Sequence, residues 1–439
     1  MNPGELQMAL AKLYRRNLHT IKLGLDPVRA LLEELGNPHE KFLCVHIAGT
    51  NGKGSVSALI ESMLRAAGIR TGLYISPHLV RFNERIRVNG AEISDEKLAP
   101  LLDDIEAAVL NMRGNTGERD ATFFEFTTAL AFEHFRRERV QIAVIETGMG
   151  GRLDATNVIT PIVSVITSIS FDHQQFLGDT IEKIAAEKAG IIKEHRPVVV
   201  GELPGEAIAV IEKTAKHHYS PLNRAAASVS VRRQSQSWMG QKVQIETSEE
   251  SLGTAMLPLL GDHQLGNLAV AVAAIEELRR ETKLPIRDEA IRAGIAATRW
   301  PGRCQVLSAD PPVILDGAHN VEAAEVLART VRQLGKKVPW AGVAGFLSDK
   351  DVAGIVRPFA SFIKELWIVE LHNERAMPPA NAMDRLHGLS IHPHTGSIGD
   401  ALGAAKAWAG KNAGGVVIFG SLYLAGEILG KISSEDFQQ

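Results

Sequence analysis

Cysteine is nearly absent from this chain. The two present in 439 residues, Cys44 and Cys304, are too few and too far apart for a disulfide framework, and they point to a reducing compartment. Charge of either sign is not in excess: a net −3 at pH 7 argues against a general nucleic-acid or membrane-surface binder, while leaving room for a local basic cleft. No apolar run is long enough to span a bilayer, and the first residues (MNPGELQMALAKLYRRN) lack the apolar core of a signal peptide. A cytoplasmic, monomeric protein with no nucleic-acid or membrane partner is therefore expected. Repeats and low-complexity tracts are missing too, which removes solenoids and disordered linkers. What remains is a globular chain with 45% hydrophobic residues, too long for one ordinary core. Two domains are expected, 1–298 and 299–439, with the hinge at Thr298-Arg299-Trp300-Pro301-Gly302-Arg303, where Pro-Gly interrupts a helical pattern.

The most informative stretch is FLCVHIAGTNGKGS, Phe42 to Ser55. An apolar run of strand length (Phe42 to Ala48) leads into Gly49-Thr50-Asn51-Gly52-Lys53-Gly54-Ser55, after which Val56, Leu59, Ile60, Met63 and Leu64 recur at helical spacing. Strand, glycine-rich loop and helix form a phosphate cradle, because glycines let backbone N–H groups approach an anion and a helix N-terminus adds partial positive charge. Lys53 would reach the outer phosphates and Ser55 would help hold a metal-bound nucleotide. The loop is shorter than the usual GxxxxGK[ST], and Gly54 separates Lys53 from Ser55.

Further strands end in polar residues, where ligands of open α/β sheets gather. Gly72 to Ile75 ends at Ser76-Pro77, and the serine could bind magnesium or cap the turn. Ile142 to Ile145 delivers Glu146, either a magnesium ligand or a partner for Arg152. The glycine-rich loop that follows carries Arg152 and Asp154, a pair suited to a charged or amide-bearing substrate. Ile162 to Ile166 leads to Asp172-His173, and His173 is either a third metal ligand or an ordinary loop histidine. In a chain with 5% aromatics, Thr122-Phe123-Phe124-Glu125-Phe126 reads as a helix start burying rings, or as an aromatic wall for a flat heterocycle with Glu125 bonding to it. Lys188, near the end of a helix from Thr180 to Ala189, is ordinarily a solvated charge. Residues 203–258 hold a small antiparallel element (Lys242 to Glu246, Thr254 to Leu257), and Asn267 near the start of the next helix could be a cap. Beyond the hinge, Val313 to Leu315, Trp340 to Ala344, Leu366 to Val369 and Val416 to Phe419 are spaced for a second parallel sheet. The first ends in Asp316-Gly317-Ala318-His319-Asn320 and the last in Gly420-Ser421. The fold class expected is α/β: a P-loop domain with a mainly parallel sheet, then a smaller Rossmann-like α/β domain.

GTNGKGS resembles the ATP loop of the Mur ligase superfamily, and specifically of folylpolyglutamate and dihydrofolate synthases. SPHLVRFNERIRVNG, ETGMGGRLDATN, the Asp172-His173 pair, EKAGI, PGR and DGAHN follow in that family's order. The resemblance implies ATP bound by Gly49 to Ser55 with Asn267 on the adenine and Arg303 and Asp316 on ADP. It implies two magnesium ions held by Ser76, Glu146, His173 and a carbamylated Lys188, and a pteroate pocket at Thr20, Phe123, Phe124, Glu125, Arg152 and Asp154. Lys53, Lys188 and His319 would be catalytic, with His319 and Ser421 nearest the phosphoryl and the incoming L-glutamate. The expected reaction joins glutamate to a reduced folate, and also to dihydropteroate, through an acyl phosphate. Two alternatives stand beside it: another Mur-type amino-acid ligase, which would want a substrate domain ahead of the loop where only about 50 residues precede it, and a P-loop ATPase switch.

Overall fold

The computed structural model describes residues 3–16, 24–116, 120–335 and 338–436. Its first sheet has eight strands: β1 (Leu43–Ala48), β2 (Thr71–Tyr74), β3 (Ile86–Val88), β4 (Ala91–Glu92), β5 (Ile142–Glu146), β6 (Val163–Ile166), β7 (Val198–Val200) and β8 (Leu222–Arg224). They lie in the order β4-β3-β2-β5-β1-β6-β7-β8, and every neighbouring pair is parallel except β2–β3 and β3–β4. β1, β5 and β6 are apolar almost throughout and buried on both faces, as parallel strands covered by helices must be. One face carries the helices Lys53–Ala66, Asp262–Glu281 and Asp288–Ala297; the other carries Asp95–Thr116 and Phe123–Arg137. With β1 between β5 and β6, the chain reverses its direction of travel across the sheet at β1, and the crevice at that switch point opens over the loop that follows β1.

Three antiparallel strands come next, β9 (Val229–Ser237), β10 (Gly240–Thr247) and β11 (Ser251–Leu257). Then a six-stranded sheet is formed by β12 (Gln305–Ala309), β13 (Pro312–Leu315), β14 (Trp340–Ala344), β15 (Ile363–Val369), β16 (His392–Gly396) and β17 (Gly415–Phe419), in the order β12-β13-β17-β14-β15-β16. Only β12 runs antiparallel. The two halves also touch away from the crevice. Trp238, at the tip of the β9–β10 hairpin, lies 6.5 Å from Trp340 between ring centroids, and Asp262 accepts from Arg233 on its own side and from Gln333 across the seam. No helix of the described residues is long and apolar enough to cross a membrane.

The strands expected from sequence are present, together with seven others. β3, β4, β8, β9, β12 and β16 are edge strands or pair next to an edge and lack a buried apolar run to announce them, whereas β7 is a buried Val-Val-Val run too short to stand out. The helix after the phosphate loop starts at Lys53, two residues earlier than its apolar pattern suggests, with Gly52 as a left-handed N-cap.

This helix is held by an unusually close neighbour. A Cβ on Gly294, in the helix Asp288–Ala297, would lie 2.6 Å from the Met63 nitrogen, and Ser62 Oγ donates to Gly294 O at 2.7 Å. Backbone atoms on both sides leave nothing flexible to yield. Gly294→Ala should therefore lower unfolding free energy by roughly 1–3 kcal/mol, the range for overpacked interiors, as measured by chemical denaturation.

Candidate active site

The phosphate loop is splinted by the segment that leaves β6. Thr167 Oγ1 donates to Asn51 O at 2.6 Å, and Ser168 Oγ bonds both Asn51 N (2.9 Å) and Asn51 O (3.0 Å). Thr50 Oγ1 and the Ser170 backbone are joined twice, at 3.2 and 3.1 Å. These residues were not singled out from sequence; the signal was the hydroxyl run Thr167-Ser168-Ile169-Ser170 at a strand end. Lys53, at the first helical position, turns back into the bowl of the loop and donates to Gly49 O (2.9 Å) and Thr50 O (3.2 Å). Gly54, the departure from the usual motif, has a steric reason: a Cβ there would enter the ring of Trp300, which comes from the linker between the halves. Ser55 is buried and accepts from Gln264 Nε2 at 3.3 Å, and Asn267 donates to Gln264 Oε1 at 2.9 Å. Asn267 lies in the second turn of its helix, whose N-cap is Gly261, so it is not a cap.

Glu146 and Ser76 stand together beside the loop. Ser76 N–H donates to Glu146 Oε2 at 3.2 Å, and both line a cavity of about 230 Å³ with Gly54, Trp300 and Arg303. Burial raises the Glu146 pKa, opposed chiefly by the Lys53 charge. Arg152 does not pair with Glu146. It binds Glu187 at 2.7 Å on the surface. His173 adopts a left-handed φ of 48° and lies in a separate cleft of about 650 Å³, which it shares with Asp172, His319, Asn320, Glu322 and Lys350. The four expected ligands thus fall into two neighbourhoods, with the Lys53 charge felt in both. Among the described residues, no three His, Cys, Asp or Glu side chains converge as a metal set. A single buried carboxylate with a hydroxyl beside a phosphate loop is nonetheless the donor set that suits magnesium, which takes one or two carboxylates and completes its shell with phosphate and water.

Lys188 is the exceptional residue. It is not the solvated charge its helix position suggests: it is 3% exposed, and its ammonium makes no hydrogen bond or ion pair among the described residues. Burial brings its pKa down to about 7, and Lys53 pushes in the same direction.

Across the crevice, Asp316 leaves β13 and accepts from Cys304 N (2.6 Å) and Ala318 N (2.7 Å). Burial raises its pKa, and Arg303 opposes that shift. His319 Nδ1 lies 2.9 Å from Gly317 O, and burial lowers its pKa, so the ring is neutral with Nδ1–H donating and Nε2 left for the cleft. Ser421 is buried after β17 and caps the last helix by accepting from Tyr423 N at 3.0 Å.

The substrate residues expected from sequence divide. Thr20 lies outside the described residues. Phe123 stacks on Tyr14 (5.6 Å, 16°), and the Phe124 ring lies 6.1 Å from Tyr74. Glu125 closes a helix capping box, accepting from Thr122 N (2.7 Å) and Thr122 Oγ1 (2.8 Å), instead of presenting that oxygen to a heterocycle. Asp154 is likewise internal, held by Thr156 and by Met149 N at 2.9 Å, so Arg152 and Asp154 do not form a gripping pair. Arg85 was missed. It is 7% exposed, donates to His78 Nδ1 at 2.7 Å, lies 5.2 Å from the Phe123 ring centroid, and pairs with no carboxylate among the described residues. His78 is held neutral, its pKa pushed down to about 3 by burial and then by Arg85 itself. A buried guanidinium without a counter-anion is prepared to receive one. In the sequence it was one of several arginines alternating along RFNERIRV.

A phosphate loop at the switch point of one parallel sheet, faced by the polar strand ends of a second α/β sheet, defines an ATP-dependent ligase of the Mur type. Residues 47–275 match the Mur ligase middle domain and residues 305–431 the C-terminal domain of dihydrofolate synthetase. The chain is 39% identical over 361 residues to a dihydrofolate synthase/folylpolyglutamate synthase of Bacillus subtilis, covering 82% of each protein. It superposes on Mycobacterium tuberculosis folylpolyglutamate synthase complexed with ADP with a TM-score of 0.90, at 32% identity and 97% coverage of both chains. A folylpolyglutamate synthase–AMPPCP–folate complex matches with a TM-score of 0.84, at 33% identity, over 96% of this chain and 98% of that one. The chain belongs to the folylpolyglutamate synthase/dihydrofolate synthase family of Mur ligases.

The depressed Lys188 pKa has a consequence for stability. The folded state binds fewer protons than the unfolded state between pH 7 and the ordinary lysine value of 10.5, so the destabilisation is fully present below about pH 7 and fades as pH rises toward 10.5. Lys188→Met should raise the melting temperature of the ligand-free protein at pH 6 clearly more than at pH 9, as read by calorimetry.

Proposed function

We propose that the protein is a folylpolyglutamate synthase that adds L-glutamate to reduced folates, and that it also acts as a dihydrofolate synthase on dihydropteroate. The observation that carries this reading is the near end-to-end correspondence to folylpolyglutamate synthases, with residues of both halves lining the clefts beside the phosphate loop.

Joining a carboxylate to an amine in water needs a better leaving group than hydroxide. The substrate carboxylate attacks the γ-phosphorus of ATP, ADP leaves, and an acyl phosphate forms. The glutamate amine then attacks the acyl carbon, phosphate leaves, and the amine gives up a proton. Every reactant is anionic, so positioning and charge neutralisation dominate. Lys53 and the loop N–H groups would hold the outer phosphates, Asn267 the adenine, and Arg303 with Asp316 the ADP portion. Arg85, which forms no ion pair with a carboxylate among the described residues, would receive the substrate carboxylate. His319 Nε2 would accept the proton of the incoming amine, beside Ser421. Ser76 and Glu146 would hold one magnesium ion, and His173 with Lys188 a second; bound there, the metal supplies positive charge to the phosphates. Lys188 suits that place only after modification. Its neutral amine attacks carbon dioxide, an N–C bond forms and a proton is released, converting a cation into an anionic carbamate.

Incubation with ATP, L-glutamate and either dihydropteroate or a reduced folate, with products read by mass, should give a product heavier by one glutamyl residue and one ADP per bond. Lys53→Ala should lower turnover at saturating ATP by about a hundredfold or more, the effect of removing one transition-state charge contact; near wild-type turnover would remove Lys53 from the reaction. Lys188→Ala should be nearly inactive and partly restored by formate or acetate. A variant indifferent to both small carboxylates would return Lys188 to a packing role.

A further inference from the structure

A charged contact joins the two halves at the rim of the phosphate loop, and it uses a residue outside the expected machinery. Glu322 lies in the first turn of the helix Val321–Leu334, which Asn320 caps by accepting from Ala323 N at 2.8 Å. Its Oε2 accepts from Asn51 Nδ2 at 2.7 Å and from Ser170 Oγ at 2.5 Å. Both donors belong to the first half, where the Asn51 backbone is bonded to Ser168 and the Ser170 backbone to the Thr50 hydroxyl, so they stand on the two segments that splint each other. Neutral donors on an ionised acceptor make charge-assisted bonds, stronger than ordinary ones. No other hydrogen bond or ion pair engages the Glu322 carboxylate among the described residues, so its partners lie entirely across the crevice.

We propose that Glu322 is a positioning residue for ligation: its carboxylate draws the second half onto the phosphate loop and so fixes where His319 stands over the transferred phosphoryl. Only two residues separate His319 from Glu322, and one of them, Asn320, is held by its own cap, so a tether on Glu322 is transmitted to the imidazole with little slack. Asn51 is reassigned by the same contact. Its backbone N–H is taken by Ser168 and its amide by Glu322, which makes it a docking point for the other half instead of a nucleotide ligand. A carboxylate makes a poor direct contact for polyphosphate, since like charges repel. The role therefore lies in bringing protein to protein. A second half held loosely would leave the acyl phosphate open to water before glutamate arrives.

This inference rests on the ligase reading for its kinetic consequences, and a physical measurement separates the two. Glu322 is exposed outside its two bonds, so its variants should fold normally. Glu322→Ala should lower ligation kcat about tenfold with less than about a twofold change in the Kd of an unhydrolysable ATP analogue, and should raise phosphate released per amide bond well above one. Glu322→Gln, which keeps the acceptor but not the charge, should recover part of the loss. Ser170→Asp should reproduce the Glu322→Ala defect, and adding Glu322→Lys to it should restore coupling. Spin labels on the two halves, with the analogue bound, should show a longer and broader distance in Glu322→Ala than in the wild type, whatever the amino-acid or folate substrate proves to be. Unchanged distances with unchanged kcat and one phosphate per bond would overturn the proposal. A tighter analogue Kd at unchanged kcat would do so as well, making Glu322 a mere repellent of nucleotide. If the wild type joins glutamate to no folate, the functional reading falls, and the distance measurement still decides the role of Glu322.

Discussion

The site depends on the rigidity of a loop that would otherwise be soft. A glycine-rich turn pays a high conformational entropy for order, and here that order comes from outside it, through the hydroxyls of Thr167 and Ser168 on the Asn51 backbone and the double link between Thr50 and Ser170. Those donors sit where they do because β6 lies directly against β1, so the segments leaving the two strands run side by side. Sheet order, more than any feature of the motif itself, makes the loop a preformed anion site.

Around that loop the protein gathers buried charges without complete pairing. Lys188 has no hydrogen-bonded or ionic partner among the described residues, Arg85 has only a neutral histidine, and Glu146 is buried with a backbone N–H as its bonded neighbour. Each is unfavourable, because desolvation outweighs the opposite charges that lie nearby without pairing directly. On the proposed reading two of these signs fit their ligands, Arg85 a substrate carboxylate and Glu146 a metal cation, while Lys188 fits beside a metal only once its charge has been converted by carbamylation. Stability given up in the free protein is the expected companion of a site organised for charge that has yet to arrive.

How far the sequence revealed this differs by the kind of signal. Strands with apolar runs and strand ends with Glu146, Asp316 or Ser76 were legible, since burial and topology leave a periodic trace. Edge strands such as β9 and β16 were not, because their faces are largely exposed and carry no apolar alternation. Among site residues, chemistry read from residue type alone misled where a local bond had the stronger claim. Glu125 caps its own helix, Asp154 ties its own loop, and Arg152 finds Glu187 on the surface. Conversely, Arg85 and Glu322 were invisible, because an arginine among arginines and a glutamate in a first helical turn are each ordinary until the fold shows what stands opposite.

The contact between Trp300 and Gly54 carries an optical consequence. One of only five tryptophans in the chain, this indole belongs to the linker between the halves and touches the phosphate loop directly. Its emission depends on the polarity and packing of that single spot, where occupancy of the loop and movement of the linker converge. The protein thus carries a fluorophore of its own where the linker meets the phosphate loop, and the difference in emission between the wild type and Trp300→Phe separates that spot from the other four tryptophans.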